Sequence, residues 1–474
     1  MESVFDRPVT RLMQYKRLHQ ASIERREEYW ALQAEKLTWH QPWKSVLDED
    51  MHAAKFAWFG GGTISAHANA IERHAGEGRK ALVYLDGELA ARSIGYGELD
   101  RLVKDYAARL HGAGLVGGQR LVCYLPNTPE AVVVALASAF VGITFVPVPA
   151  RFTAERVIEI AENCGAAAVV VQAEYHLADY MQRVDEVGKM LPAEVQALCV
   201  GGHRRPFRAL EKTRPERSDP AALPAEHPLA ILYAGSATGI PRGSVLAAAG
   251  TLVQSSAFGR MLFRLPGEHR SALYCAVDLA SAAGYCHGLW GTLLNGDTLV
   301  LAATRTRSVL ERLRAVAAVD PGCAVLTSPD RLEEWLGNDE GERPRFKIVA
   351  SCQDLLTPRL CERAAALAVS PERVLNLWIQ NETGCAAIAT LPYDELNRPG
   401  SLGLPLPAIP AKVVDDTGRP RPANKAGRLV FAGTCPSPAR SIWGQPERYR
   451  RLFFSAFEGH YSTSDAVRVD RDGF

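Results

Sequence analysis

Charge of one sign is what this sequence lacks most plainly. Its 54 Lys and Arg residues face 53 Asp and Glu, for a formal net charge of +1. That is too little to steer the chain onto nucleic acid or an anionic membrane, so any anion must be bound locally. An unbroken apolar run is also missing. Residues 132–149 carry no charge, but Gly142, Pro147 and Pro149 interrupt them, which suits a buried helix followed by a strand better than a membrane span. The first twenty residues mix charge with apolar side chains and hold no secretory signal, which leaves the cytoplasm as the default compartment. The ten cysteines are scattered, with no C-x-x-C pair and no Cys/His cluster at zinc spacing; they read as reduced core thiols. No internal repeat or low-complexity tract is present.

What is there is enough apolar sequence for a large core: 47% of 474 residues, sufficient for one or two domains with sub-lobes. Residues 17–37, rich in Glu, Arg, Gln and Ala around Trp30 and Leu32, predict a surface helix at the entrance to the domain. Residues 81–85 read as a strand. Leu99, Val103, Tyr106, Ala107 and Leu110 then share one helical face that ends at Gly112 and Gly114. A strand at 120–124, a helix opened by Pro129 and running to about 141, a strand at 144–148, a helix at 153–163 and a strand at 167–171 follow. Such alternation predicts an α/β fold with a largely parallel sheet covered on both faces. Residues 203–228, dense in Pro and Arg, read as a solvated linker in preference to an anion-binding patch. A second apolar, Gly-rich half runs from 229 to about 388, and short strands and turns fill 400–474.

Three segments carry chemistry. Residues 229–243, LAILYAGSATGIPRG, are an apolar strand entering a small-residue loop with one cation, which is what a polyphosphate needs. Alone, this stretch reads more readily as a structural turn than as a phosphate site, and it lacks the spacing of a Walker loop. Residues 376–384, NLWIQNETG, set Glu382 and Thr383 beside a glycine after an apolar strand, where the acid suits Mg²⁺ and the hydroxyl a phosphate. Residues 439–450 (ARSIWGQPERYR) and 461–465 (YSTSD) add a late acid suited to ribose hydroxyls. His287 and His460 read as structural, and Glu447, Arg448 and Arg450 as an ion-pair lattice on a helix.

In this order the three segments resemble the Y-T-S-G-T-T-G-x-P-K-G, W-W-Q-T-E-T-G and Y-x-T-G-D signatures of AMP-forming acyl-coenzyme A synthetases. Residues 284–296 (GYCHGLWGTLLNG), IWGQPERYR and the Glu28-Tyr29-Trp30 region resemble the acetyl-coenzyme A synthetases in particular, and the similarity runs over nearly the whole chain. The resemblance implies two parallel-rich β-sheets sandwiched by helices plus a small distorted β-barrel-like lobe. It implies an N-terminal helical segment at 1–75 and an AMP-binding large domain at 76–474 that contains the 203–228 linker, with the small C-terminal domain outside this sequence. It also implies ATP-dependent activation of a small-molecule carboxylate as an acyl-adenylate, with Mg²⁺, and with coenzyme A or a carrier thiol as acceptor. By resemblance, Thr238, Gly239 and Arg242 serve the phosphates, with Ser236 and Gly243 in the same loop. Glu382 holds the metal, Thr383 faces the α-phosphate, Gln380 and Asn381 flank them, Gln353 and Asp354 border the adenine, and Asp465 binds the ribose. Ala282, Ala283, Gly284, Cys352 and Ile379 line the acyl pocket.

The sequence departs from that family in four places. Ala234, Gly235 and Ala237 remove hydroxyls from the phosphate loop, and Arg242 puts a planar fork where a lysine is usual. Residues 350–356 (ASCQDLL) stand where the family has G-S-V-G-E-P-I, so Gln353 replaces a glycine and Leu355 a proline. Ile379 replaces the Trp that closes the pocket around acetate, while Ser281, Ala282 and Ala283 stand for larger residues. This predicts an acid larger than acetate, each added methylene contributing about 0.8 kcal/mol. Residues 172–176 lack the D-G-G-x-x-R-G-G pattern that helps hold coenzyme A, and the adenylation lysine lies beyond this sequence, so a separately encoded small domain or a carrier protein is the expected partner. Three readings stay open: an acid-activating enzyme, a catalytically impaired homologue that binds a ligand or partner, and a related enzyme with other ATP-dependent chemistry.

Overall fold

In the computed structural model the described residues are 5, 8–233, 239, 241–303, 308–337 and 341–474. Within them the predicted alternation is realised as Arg120–Tyr124, helix Pro129–Val141, Thr144–Val148, helix Ala154–Cys164 and Ala168–Gln172. Threonine hydroxyls start both helices: Thr128 accepts from the Ala131 N–H and Thr153 from the Arg156 N–H, each at 3.4 Å. Pro129 opens the first helix, where its missing N–H leaves no bond unmade. Helical crossovers return each strand parallel to its neighbour. The resulting sheet runs Arg208–Ala209, Gln196–Val200, Ala168–Gln172, Arg120–Tyr124, Thr144–Val148, Pro228–Tyr233, Gly243–Ala247. Only its last pair is antiparallel, and the glycine-rich segment lies in sequence between those two strands.

The second half builds a larger sheet. Its parallel centre runs Val374–Trp378, Ile348–Ser351, Ala324–Thr327, Ala272–Cys275, Thr298–Ala302, Lys80–Leu85, and antiparallel strands border it on both sides. Its central strands are buried and apolar because helices cover both faces. Ala411–Val414, Gly427–Phe431 and Tyr461–Val467 form a small antiparallel sheet beside it. The uncharged run 132–149 becomes a buried helix and strand, and no helix among the described residues is long and apolar enough to cross a membrane. All ten cysteines are free and buried.

Two regions differ from their sequence impression. Residues 17–37 form two helices, Leu12–Glu24 and Arg26–Ala34. Trp30 is fully buried, tilted against Phe258 at 5.6 Å and edge-on to Trp58 at 6.3 Å. Truncating such a residue costs about 3–5 kcal/mol, so this charged helix is an anchored part of the core. Residues 203–228 run along sheet edges as Arg208–Ala209 and Leu223–Pro224, with Phe207 and Leu210 buried.

Candidate active site

The strand Val374–Trp378 delivers its chain into a turn that the sequence closes on itself. The Gln380 N–H donates to Thr383 Oγ1 at 3.0 Å, and that hydroxyl lies 3.0 Å from the Gln380 carbonyl and 3.1 Å from that of Cys385. The turn then reaches the small sheet. Gln380 Nε2 donates to the Thr463 carbonyl (2.9 Å), and Tyr461 donates to Gln380 Oε1 (3.2 Å). Trp378 Nε1 donates to Asp465 Oδ2 at 3.0 Å, with Gln380 Nε2 at 3.4 Å from the same oxygen. Among the described residues no donor reaches Asp465 Oδ1, which leaves that oxygen for a ligand hydroxyl. Ser464, beside it, has φ +68, the left-handed region that favours glycine.

Glu382 sits on the same turn, buried. Burial raises its carboxyl above the usual range, its own backbone N–H opposes this, and so does the charge of Arg242. A carboxylate held in this way suits Mg²⁺, which takes one or two carboxylates and fills its shell with phosphate oxygens and water. Among the described residues no group of three or more His, Cys, Asp or Glu side chains could share a metal ion. Asp465 bonds Gln380, two residues before Glu382, whose carboxyl also feels the positive charge of Arg242.

Residues 439–443 bind these parts together. The Ala439 N–H donates to the Glu382 carbonyl (2.8 Å), the Arg440 N–H donates to the Val245 carbonyl (2.9 Å) while the Val245 N–H donates to that of Ser441 (3.0 Å), and the Trp443 N–H donates to the Gly243 carbonyl (2.8 Å). Arg440 makes a two-pronged pair with Glu226 at 2.5 and 2.9 Å. A side chain at Gly243 would meet Ile231 at 2.5 Å and the Tyr233 ring at 2.8 Å, so this position admits only glycine. Ser236 and Thr238 lie outside the described residues. Gly239, at φ +89, accepts from Arg156 Nη1 at 3.3 Å, and Arg156 also pairs with Glu159 at 2.8 Å.

Beside the turn opens a cavity of about 230 Å³ lined by Ala282, Ala283, Ile379, Gln380, Asn381 and Gln353, among others. Asn381 Oδ1 accepts from the Ala282 N–H at 3.3 Å, tying the turn to the π-helix Ala283–Trp290 that forms the cavity wall. Gly284 backs that wall; a Cβ there would lie 2.2 Å from the Asp278 carbonyl. Cys352 is fully buried with its thiol on the Thr327 carbonyl at 3.3 Å, behind the cavity surface. Gln353 adopts φ +83, so the loop keeps a glycine-type backbone with a side chain on it, and Gln353 also lines an adjoining cavity of about 280 Å³. Asp354 is exposed, its Oδ1 on the Leu355 N–H at 2.7 Å.

One cavity thus gathers Ala282, Ala283, Gln353, Ile379, Gln380 and Asn381; Glu382 is on the adjoining turn and Asp465 bonds Gln380, while Thr383 spends its hydroxyl inside the turn and lines a separate small cavity with Phe431 and Tyr461. Trp378, Tyr461, Arg156 and the Arg440–Glu226 pair are added by the structure; Trp378 and Tyr461 stand inside the quoted motifs, but nothing local marks their partners. His287 is buried, and its Nε2 accepts from the Ala386 N–H at 2.9 Å. Burial lowers it to about 4, so it is a neutral acceptor that fixes the chain after the turn.

The model of the AMP-binding enzyme family matches residues 69–440, and that of the acetyl-coenzyme A synthetase N-terminus matches residues 15–70. The chain is 27% identical over 494 aligned positions to an acetyl-coenzyme A synthetase of Chlorobaculum tepidum, covering 98% of this chain and 74% of that one. It is 31% identical over 502 positions to an acetyl-coenzyme A synthetase of Mycobacterium tuberculosis, covering 96% and 75%. An acetoacetyl-CoA synthetase from Streptomyces lividans shares the fold with a TM-score of 0.83 at 21% identity, over 97% of this chain and 74% of that one. The paired sheets, the acid on its closed turn and the carboxylate at the small sheet agree with these matches: the chain belongs to the AMP-binding, adenylate-forming enzyme family.

Proposed function

We propose that this protein activates a carboxylic acid larger than acetate as its acyl-adenylate, consuming ATP. The observation that carries the reading is the 230 Å³ cavity floored by Ile379 and walled by Ala282 and Ala283, opening onto the turn that carries Glu382. The substrate carboxylate attacks the α-phosphorus in line and pyrophosphate leaves. Chemistry of this kind depends on positioning and charge stabilisation more than on a protein base. Arg242 and the phosphate loop, with Thr238 and Ser236, balance charge on the leaving phosphates, Thr383 and Gly239 border them, and Asp465 Oδ1 orients the ribose. Mg²⁺ on Glu382 would neutralise phosphate charge. Coenzyme A or a carrier thiol takes the acyl group, with a separately encoded small domain or a carrier protein as partner, and the cytoplasm is the proposed compartment.

The Gln353 side chain, set at a left-handed position beside the cleft, favours a second reading: an impaired homologue that binds an acid or nucleotide without turning it over. ATP–pyrophosphate exchange over a panel of acids, with and without an added small domain, separates the two. Exchange with an acid of four or more carbons supports activation. No exchange with any acid, together with no ATP binding by calorimetry, removes it.

A further inference from the structure

A second cavity, of about 310 Å³, lies between the N-terminal helices and the far end of the helix Ala248–Phe263, and shares no lining residue with the acyl cavity. We propose that it is a binding site for a carboxylate with a medium-length apolar tail, its head on Arg260 and its chain along Val9, Leu18, Met261, Leu265 and Leu391.

The head group is argued from unused donors. Arg260 spends three N–H groups on neutral oxygens: Ser256 Oγ at 2.7 Å, Asn295 Oδ1 at 2.9 Å and Gln33 Oε1 at 3.2 Å. A guanidinium has five N–H donors. The remaining two, Nε–H and one Nη2–H, have no acceptor among the described residues, and two is the number a carboxylate takes in a bidentate contact. Neighbouring acids are already engaged. Arg264 holds Asp297 at 2.7 and 3.1 Å, and Lys347 holds Glu268 at 2.7 Å. Burial lowers Arg260 to about 10, with Arg264 and Arg73 pushing the same way and Tyr29 and Asp297 opposing them. It remains protonated at neutral pH. Arg264 and Glu268 also line the cavity but are each already ion-paired, so Arg260 is the charge that its polar end offers, and its length is apolar. This asymmetry matches an amphiphilic acid and disfavours both a free inorganic anion and a neutral alcohol. The volume stands at the lower end for small-molecule sites.

The test is equilibrium binding of octanoate, decanoate and dodecanoate to the full chain carrying Ile379→Trp, which fills the acyl cavity and removes that site from the measurement. Expected is one remaining equivalent, tightening about fourfold per methylene until the groove is full, with decanol at least tenfold weaker than decanoate. Arg260→Gln should weaken decanoate by tenfold or more. Val9→Asp, at a half-buried wall position, should do so with an unchanged melting temperature, which keeps the test valid if the Arg260 variant folds poorly. Loss of all binding in the Ile379→Trp chain, equal affinity for decanol, or parent-like affinity in Val9→Asp would overturn the proposal. None of these outcomes depends on pyrophosphate exchange.

Discussion

The side of the cleft proposed for ribose and the side proposed for adenine are built to different standards. Asp465 is held by Trp378 and Gln380, and Gln380 is itself held by Thr463 and Tyr461, so its carboxylate has little freedom left. Residues 353–355 stand exposed, with Leu355 turned to solvent and Gln353 at φ +83. One side is over-determined by hydrogen bonds; the other sets a side chain on a left-handed backbone position. A site can retain the part that fixes orientation while the part that grips the base drifts.

The largest effect should come from the turn common to both sides. Glu382→Gln should lower pyrophosphate exchange by roughly two to three orders of magnitude. The same change should stabilise the ligand-free protein at neutral pH. The buried Glu382 holds its proton where the unfolded chain has released it, so stability falls as pH rises through that window. Melting curves of Glu382→Gln and parent should therefore converge below the usual carboxylate range and separate above it.

Breaking the ribose side comes next. Asp465→Ala should weaken nucleotide binding by about 1.5–3 kcal/mol, and Trp378→Phe by about 0.5–1.5 kcal/mol, both read by calorimetry. If Trp378→Phe matched parent, the indole would not be what orients the carboxylate. Ile379→Trp should shift preference in exchange assays toward acetate by about 1–3 kcal/mol. Sharpening the adenine side is the smallest change. Gln353→Gly should raise ATP affinity, and both it and Ser464→Gly should raise stability by about 1 kcal/mol in thermal melts, since each relieves a left-handed side chain.

Elements whose determinants are local were legible from sequence. The strand 120–124 and the helix 129–141 carry their periodicity, cap and proline within one window, and the structure places them at those residues. Trp30 was not, because a helix rich in Glu and Arg reads as surface until Trp58 and Phe258 are folded against it. The Glu382 turn was legible as chemistry but not as geometry: the bond from Trp378 to Asp465 joins residues 87 positions apart, and nothing in either segment names the other. The exchange of glycine for Gln353 was visible, yet whether the loop would rebuild or keep its path is a backbone question that only φ answers.

The segment 439–443 has a dynamic consequence. Because its amides reach both the Glu382 carbonyl and the strand Gly243–Ala247, opening one contact exposes the others. The amides of Val245, Ala439, Arg440 and Trp443 should then exchange with deuterium as one cooperative unit, and nucleotide at either end should slow all four together.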